Sequence, residues 1–217
     1  MAKEGKHDRF SRELCESLSP YFAPDYAYQP RIGNWLLKRT RFGSQRIGVA
    51  LSGANAPLKH LEFRLGLRYD AYETVVRRLG LEERYPDGTD HFWNTTFNCI
   101  KHFPPPENGD ARGMWSINLD SRGQEYVSNI WPTLTSVSET FFANFSDIRT
   151  SRDALLRHDG TLFQSRAWEN IALADLAIKD FKHLRQFAAA EMGGWGLNRN
   201  EPLWQKIRAV FANEADL

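Results

Sequence analysis

"HLEFRLGLRY", residues 60–69, alternates strictly between polar and apolar side chains, and this alternation decides the fold class. One side of the extended chain carries the apolar set Leu61, Phe63, Leu65, Leu67 and Tyr69. The other side carries His60, Glu62, Arg64, Gly66 and Arg68. Because successive side chains of a β-strand point to opposite faces of a sheet, the pattern predicts a half-buried antiparallel strand.

Two further extended runs precede this strand, with only short links between them. "NWLLKRTR" (34–41) and "RIGVALSG" (46–53) are joined by "FGSQ", which predicts a tight hairpin. In the second run Arg46 falls on the polar side of the alternation. The three runs therefore predict a β-meander. Two later runs, 91–103 and 114–120, bring the expected sheet to about five strands.

Helical periodicity appears before and directly after the meander. Residues 7–22 have an apolar side chain at every fourth position, which predicts a leading helix. "DAYETVVRRLGL" (70–81) predicts a short helix that begins at Asp70 as its N-cap and ends at Gly80.

From Ser121 onward the apolar period changes from two to three or four residues. This half of the chain predicts helices after residue 121 and over 147–158, 164–192 and 201–212, of which 164–192 has the strongest pattern. Strands followed by helices indicate an α+β fold: an antiparallel β-meander sheet with helices on one face and a helical C-terminal half. We expect a single domain over 1–217, with a helix-plus-meander part (1–120) and a helical part (121–217).

The bulk composition is that of a globular protein without a membrane span. Of the 217 residues, 41% are apolar and 25% are charged, and no window approaches the roughly 18 apolar residues that a spanning helix needs. The N-terminal stretch has no targeting pattern. Two cysteines, Cys15 and Cys99, do not make a disulfide framework. We therefore expect a cytoplasmic protein that does not enter a membrane.

Positive charge is concentrated on the meander. Residues 31–68 contain eight basic residues and one acidic residue, a local net charge of +7 within a chain of net charge +1. Alternation brings part of this charge to one polar face. The candidate binding residues are Arg46, His60, Glu62, Arg64 and Arg68, with Asn94, Asn98 and His102 from the polar side of the run at 91–103.

This polar face is open to three interpretations. It is a solvated surface whose charges pair with acidic helices of the same chain, or it binds an acidic protein partner, or it binds nucleic acid. Nucleic-acid binding is the less favoured of the two binding roles, because most aromatic residues fall in the apolar register instead of forming a stacking platform on this face.

"HFWNTTFNCIKHF" (91–103) has the composition of a metal or catalytic site but the period of a strand. In a strand Cys99 points inward with Trp93 and Phe97, whereas His102 points to the other face, so the two cannot share a metal ion. The sequence also lacks a nucleophile elbow and a glycine-rich phosphate loop. We expect no metal, no cofactor and no catalytic residue.

Four segments carry a resemblance to a known group of proteins: "WLLKRTR", "LEFRLGLRY", "MWSINLDS" and "TFFANFSD". In this order they resemble a family of uncharacterised bacterial α+β domains, some of which are regarded as immunity proteins. The resemblance implies a non-catalytic, immunity-like domain that binds a protein partner. The alternative is a nucleic-acid-binding factor, or an enzyme whose site is assembled from dispersed residues on the basic face. The oligomeric state stays open.

Overall fold

The meander expected around residues 60–69 is present in the computed structural model, which describes residues 5–22, 24–29, 35–52, 58–81, 93–96, 115–157, 167–192 and 197–215. Its strands are β1 (Ala27–Gln29), β2 (Trp35–Thr40), β3 (Gly43–Ser52), β4 (Leu58–Tyr69), β5 (Trp93–Thr96) and β6 (Trp115–Asn118). They form one sheet in the order β1-β2-β3-β4-β5, and β6 also pairs with β4. The expected class, an α+β fold with an antiparallel sheet and a helical C-terminal half, is confirmed.

The helices are α1 (Lys6–Phe22), α2 (Asp70–Arg78), α3 (Val127–Asn144), α4 (Ile148–Arg157), α5 (Ala167–Ala177), α6 (Phe181–Met192) and α7 (Leu197–Ala215). A short 3₁₀ helix, Gly123–Tyr126, runs directly into α3. None of the helices within the described ranges is both long enough and apolar enough to cross a membrane.

The β2–β3 hairpin is tighter than the sequence pattern predicts. Thr40 pairs with Gly43, so the turn consists of two residues and β3 begins at Gly43 instead of Arg46. Gly43 has a φ of 149°, a backbone angle that is readily available only to glycine. The glycine therefore lets the chain reverse within two residues.

The chain divides into two compact units, each of which takes segments from both halves of the sequence. The first unit comprises residues 1–67 and 94–144, and the second comprises residues 68–93 and 145–217. These units do not coincide with the expected parts 1–120 and 121–217. The single-domain organisation stays a prediction.

In the first unit, α1 packs across β1, β2 and β3 and against the 3₁₀ helix and α3. The apolar side of β4 is fully buried, as its alternation predicts. Removal of such side chains from water is the main stabilising term of the unit, at roughly 1.5–3 kcal/mol each. The core includes Phe10, Leu14, Leu18, Leu36, Ile47, Leu61, Phe63, Leu65, Leu67, Ile117, Ile130 and Leu134.

The second unit is built from helices around the end of β4. Within it α2 and α4 each pack against α5, and α5 packs against α6 and α7. The buried Tyr69 hydroxyl donates to the Phe145 carbonyl oxygen at 2.6 Å and lies 2.5 Å from Ser151 Oγ, from which it accepts. Tyr72 donates to Asn170 Oδ1 at 2.8 Å. Hydrogen bonds thus satisfy both hydroxyls in an apolar surrounding.

The sequence predicts both ends of α2, and the structure confirms one of these two predictions. Gly80 has a left-handed φ of 60° just after the helix, as expected of a C-terminal glycine, and its N–H donates to Arg77 O. The prediction that Asp70 caps the start is wrong, because Asp70 is already helical and Tyr69 occupies the N-cap. Strand β4 runs straight into α2, so no loop residue is left for that role.

The single helix expected over 164–192 is wrong in the described part of that segment. The structure has two helices there, α5 and α6, separated by residues 178–180. Lys179 adopts a left-handed φ of 58°, and the Asp180 carboxylate accepts from His183 N at 3.2 Å at the start of α6. An aspartate in this position satisfies a free N–H of the first turn and so favours a new helix over a continuing one.

Gly123 marks the closest approach between α1 and the 3₁₀ helix. A Cβ atom at this position would lie 2.5 Å from Leu14 N and 2.8 Å from Phe10 O, both backbone atoms of α1. Backbone cannot move aside as a flexible side chain can. Only glycine therefore permits this contact.

We expect Gly123→Ala to destabilise the protein by about 1–3 kcal/mol, because an added methyl group must push α1 away from the 3₁₀ helix. The measurement is the midpoint of chemical unfolding followed by circular dichroism. Gly5→Ala is the matched control: its Cβ would meet only Asp8 Oδ2 at 3.4 Å, an ordinary contact. Equal stability of the two variants would contradict the close approach.

Candidate functional site

Four candidate residues of the first unit, Arg46, His60, Glu62 and Arg64, lie on the side of the sheet that faces away from its apolar core. Register places Leu37 opposite Arg46 and Trp35 opposite Gly48. Residues paired in this way share a face, and alternation places the polar residues of β4 opposite its buried apolar residues. We call this side the basic sheet face; it comprises Trp35, Leu37, Arg39, Arg46, Gly48, His60, Glu62 and Arg64.

Arg46 is on this face as predicted, but it is only 3% exposed. The reason is a contact that the sequence pattern does not reveal. A Cβ at Gly48 would lie 2.5–2.8 Å from the ring atoms of Trp35, so the indole lies directly over the glycine. The Arg46 guanidinium is 5.8 Å from the centroid of the same ring, which is cation–π distance. Trp35 and Arg46 thus form one packed pair on the face.

On β4 the side chain of Arg64 is exposed, and those of His60 and Glu62 are partly exposed. Arg68 is placed differently: it belongs to the second unit, where its Nη2 lies 3.3 Å from Oε2 of the buried Glu73. Its charge is therefore partly compensated within the chain.

The three remaining candidate residues come from the run at 91–103. Asn94 lies in β5, whereas Asn98 and His102 lie outside the described residues. The inward placement of Cys99 also falls outside them. That these polar residues join the basic sheet face stays a prediction.

The eight basic residues of 31–68 lie in different environments. Lys38 pairs with Asp25, Lys59 is buried at a position that pairs with Ile117 of β6, and Arg31 lies outside the described residues. The exposed remainder is Arg39, Arg41 and Arg64. Within the described part of the chain, no acidic side chain lies at ion-pair distance from these three. Internal pairing accounts for only part of the positive charge.

Cys15 packs in the core of the first unit. Burial, with a smaller contribution from the neighbouring Glu16, raises the pKa of its thiol to about 12 from an ordinary value of 9.0. A thiol of this kind is protonated at neutral pH and is a poor nucleophile. Among the described residues, no group of three or more His, Cys, Asp or Glu side chains is arranged to hold a metal ion.

The second unit contains a charged cluster that the sequence pattern did not predict. Its centre is Asp175, which is 0% exposed. Arg152 Nη1 donates to Asp175 Oδ1 at 2.7 Å, and His183 Nδ1 lies 2.6 Å from Asp175 Oδ2. Arg152 also donates to Asp180 Oδ2 at 2.9 Å and, through Nε, to Asp153 Oδ1 at 2.9 Å. Helices α4, α5 and α6 therefore meet at one hydrogen-bonded network.

Burial and pairing act in opposite directions on these carboxylates. Burial raises the pKa of Asp175, while the hydrogen bonds from Arg152 and His183 oppose that rise. Burial also acts to raise the pKa of Asp180, but hydrogen bonds from Arg152 and from the His183 backbone outweigh it and leave that pKa below its ordinary value. Arg152 carries a raised pKa: burial acts to lower it, and its three carboxylate partners outweigh that effect. The network thus keeps its charges inside a largely apolar helix junction.

One signal in the sequence could have identified this cluster. "IALADLA" (171–177) places a single acid, Asp175, in a run of alanine and leucine that is otherwise suited to a core helix. A carboxylate there requires a buried partner. The sequence does not identify that partner, because Arg152 lies 23 residues earlier, on a different helix.

We expect Asp175→Ala to lower stability by about 3–5 kcal/mol, because it leaves buried donors of Arg152 and His183 without their acceptor. Thermal unfolding measures the effect. The matched control is Asp153→Ala, which removes a carboxylate that bonds the same arginine but is 48% exposed. That change should cost under about 1 kcal/mol. Equal losses in the two variants would contradict a buried network centred on Asp175.

We expect the Cys15 thiol to react at least about tenfold more slowly with iodoacetamide at mildly alkaline pH in the folded protein than in urea. A Cys99→Ser background leaves Cys15 as the only thiol. Because the folded state favours the protonated thiol, its contribution to stability is full below pH 9.0 and is lost as the pH rises towards about 12. Similar alkylation rates in the two states would show that Cys15 is accessible.

No protein-family model matches this chain, and neither a curated protein nor a solved structure matches it. The resemblance to immunity-like bacterial domains thus stays a prediction from the sequence.

Proposed function

We propose that the protein is a binding protein, and that the basic sheet face of its first unit recognises an acidic surface on a protein partner. The observation that carries the proposal is a set of exposed arginines, Arg39 and Arg64 on the face and Arg41 in the β2–β3 turn, that have no acidic neighbour at ion-pair distance in the described part of the chain. Charges of this kind steer a partner of opposite sign and orient it on contact.

Trp35, which packs on the buried Arg46, supplies an anchor on the same face. Tryptophan is one of the residue types that most often carry binding energy at protein interfaces. Trp35 is partly exposed, and its ring is braced by Gly48 beneath it. A side chain that is already held in place loses little conformational entropy when a partner covers it.

Two features favour a protein over a nucleic acid as the partner. Glu62 is partly exposed on the same face and would repel phosphate groups. Trp35 is the one aromatic residue of the defined face within the described residues, whereas single-stranded nucleic acid is usually bound on several aromatic platforms in succession. A mixed arginine and glutamate surface with one tryptophan anchor fits a protein surface better.

The experiment isolates a partner with the tagged full-length protein and then measures its affinity with purified components. We expect Arg64→Glu to weaken binding about tenfold, and Arg39→Glu combined with it to weaken binding further, mainly through a slower association rate. Higher salt should reduce the difference between the variants and the wild type.

Arg149→Glu is the matched control, because it makes the same charge change at an exposed position in the second unit. Equal weakening by Arg64→Glu and Arg149→Glu would reduce the effect to net charge and contradict a site on the sheet face. Tight binding of single-stranded DNA by the wild type, lost in Arg64→Glu and falling steeply with salt, would replace the proposal with a nucleic-acid role.

A further inference from the structure

The His183 ring in the second unit is held in one orientation by a buried carboxylate. Nδ1 lies 2.6 Å from Asp175 Oδ2, and the same carboxylate is fixed through its other oxygen by Arg152 at 2.7 Å. An arginine donor favours the ionised carboxylate, which can only accept a hydrogen bond. His183 Nδ1 is therefore the donor, and the lone pair of the neutral ring lies on Nε2.

Aromatic stacking holds the His183 ring on one face as well. The imidazole stacks on Phe187, with centroids 5.9 Å apart and planes 13° apart, and Phe187 in turn stacks on Trp168. The His183 side chain is 29% exposed, and no hydrogen bond from the described residues reaches Nε2. Among the described residues Nε2 therefore has no hydrogen-bond partner, and its lone pair can act as a nucleophile.

The exposed side chains next to His183 along the chain are basic. Lys179 and Lys182 are exposed, one just before α6 and one in its first turn. The nearest acid in sequence, Asp180, is already bonded to Arg152 and to the His183 N–H. Asp175 is buried on the opposite edge of the ring. Among the described residues neither lysine lies at ion-pair distance from an acid, so the sequence around His183 carries positive charge that favours an anionic reactant.

We propose that His183 is a phosphoryl-acceptor site that takes its phosphate from a small acyl phosphate. The Nε2 lone pair forms the N–P bond while the P–O bond to the acyl group breaks, and the carboxylate leaves with that electron pair. The Nδ1 proton stays on the ring, where Asp175 balances the positive charge of the phosphorylated imidazole. Asp175 is a positioning residue in this step, and Lys182 compensates the charge of the phosphoryl group.

This site is independent of the sheet face in the first unit, and a failure of either proposal leaves the other standing. The probe is acetyl phosphate, incubated with the full-length protein at neutral pH. Mass spectrometry of peptides kept at alkaline pH should place an acid-labile phosphate on His183. The chain has six histidines, so the other five, His7, His60, His91, His102 and His158, serve as internal controls.

His183→Gln should abolish the modification, while His7→Gln should leave it unchanged. Asp175→Asn should lower the rate at least about tenfold and move the pH profile of the reaction, which a merely structural role would not do in a variant that remains folded by circular dichroism. Lys182→Gln should reduce the rate without changing that profile.

The wild type alone can overturn the proposal, so no variant has to fold for it to fail. Absence of phosphate on His183, or labelling of all six histidines to the same extent, would do so. A second test uses ¹⁵N chemical shifts of the imidazole: a proton found on Nε2 instead of Nδ1 at neutral pH would remove the nucleophilic lone pair and with it the site.

Discussion

Burial of one side of β4 is the constraint on which the other elements depend. Its apolar residues from Leu61 to Leu67 have no contact with water, so each part of the fold that adjoins them must supply cover. In the first unit, α1 packs on the neighbouring strands and against the 3₁₀ helix at Gly123. In the second unit, the last residue of the strand, Tyr69, is enclosed by its bonds to Phe145 and Ser151. The polar side of the strand does not contribute to the core, and the exposed Arg64 lies on it.

The features that the sequence predicts well are those encoded by local period. Alternation placed β4 to within two residues of its observed start, and spacing of four located α1. Gly80 was recognised as the end of α2 because a left-handed residue after a helix is a local requirement. Such signals need no knowledge of which elements later come into contact.

The features that were missed depend on contacts between distant segments. Arg46 was correctly placed on the polar side, but its burial follows from the register that sets Trp35 across Gly48. The break between α5 and α6 was hidden because residues 178–180 resemble ordinary helix in composition, and a lysine gives no sign of a left-handed backbone. The charged cluster was missed for the same reason: Asp175 is conspicuous in its helix, but its partner is on another. Contacts between distant segments determine the structure at these positions, and the periodicity of the sequence carries no information about such contacts.

The hydrogen-bonded cluster at Asp175 forms only when the helices of the second unit pack together. Arg152, Asp175 and His183 come from α4, α5 and α6, so the orientation of the histidine ring exists only when all three helices are docked. Chains in which the helices have formed without packing would present an ordinary solvated imidazole with no fixed tautomer. The reactivity of His183 is therefore a property of tertiary structure, and it reports on helix docking in a way that helical content does not.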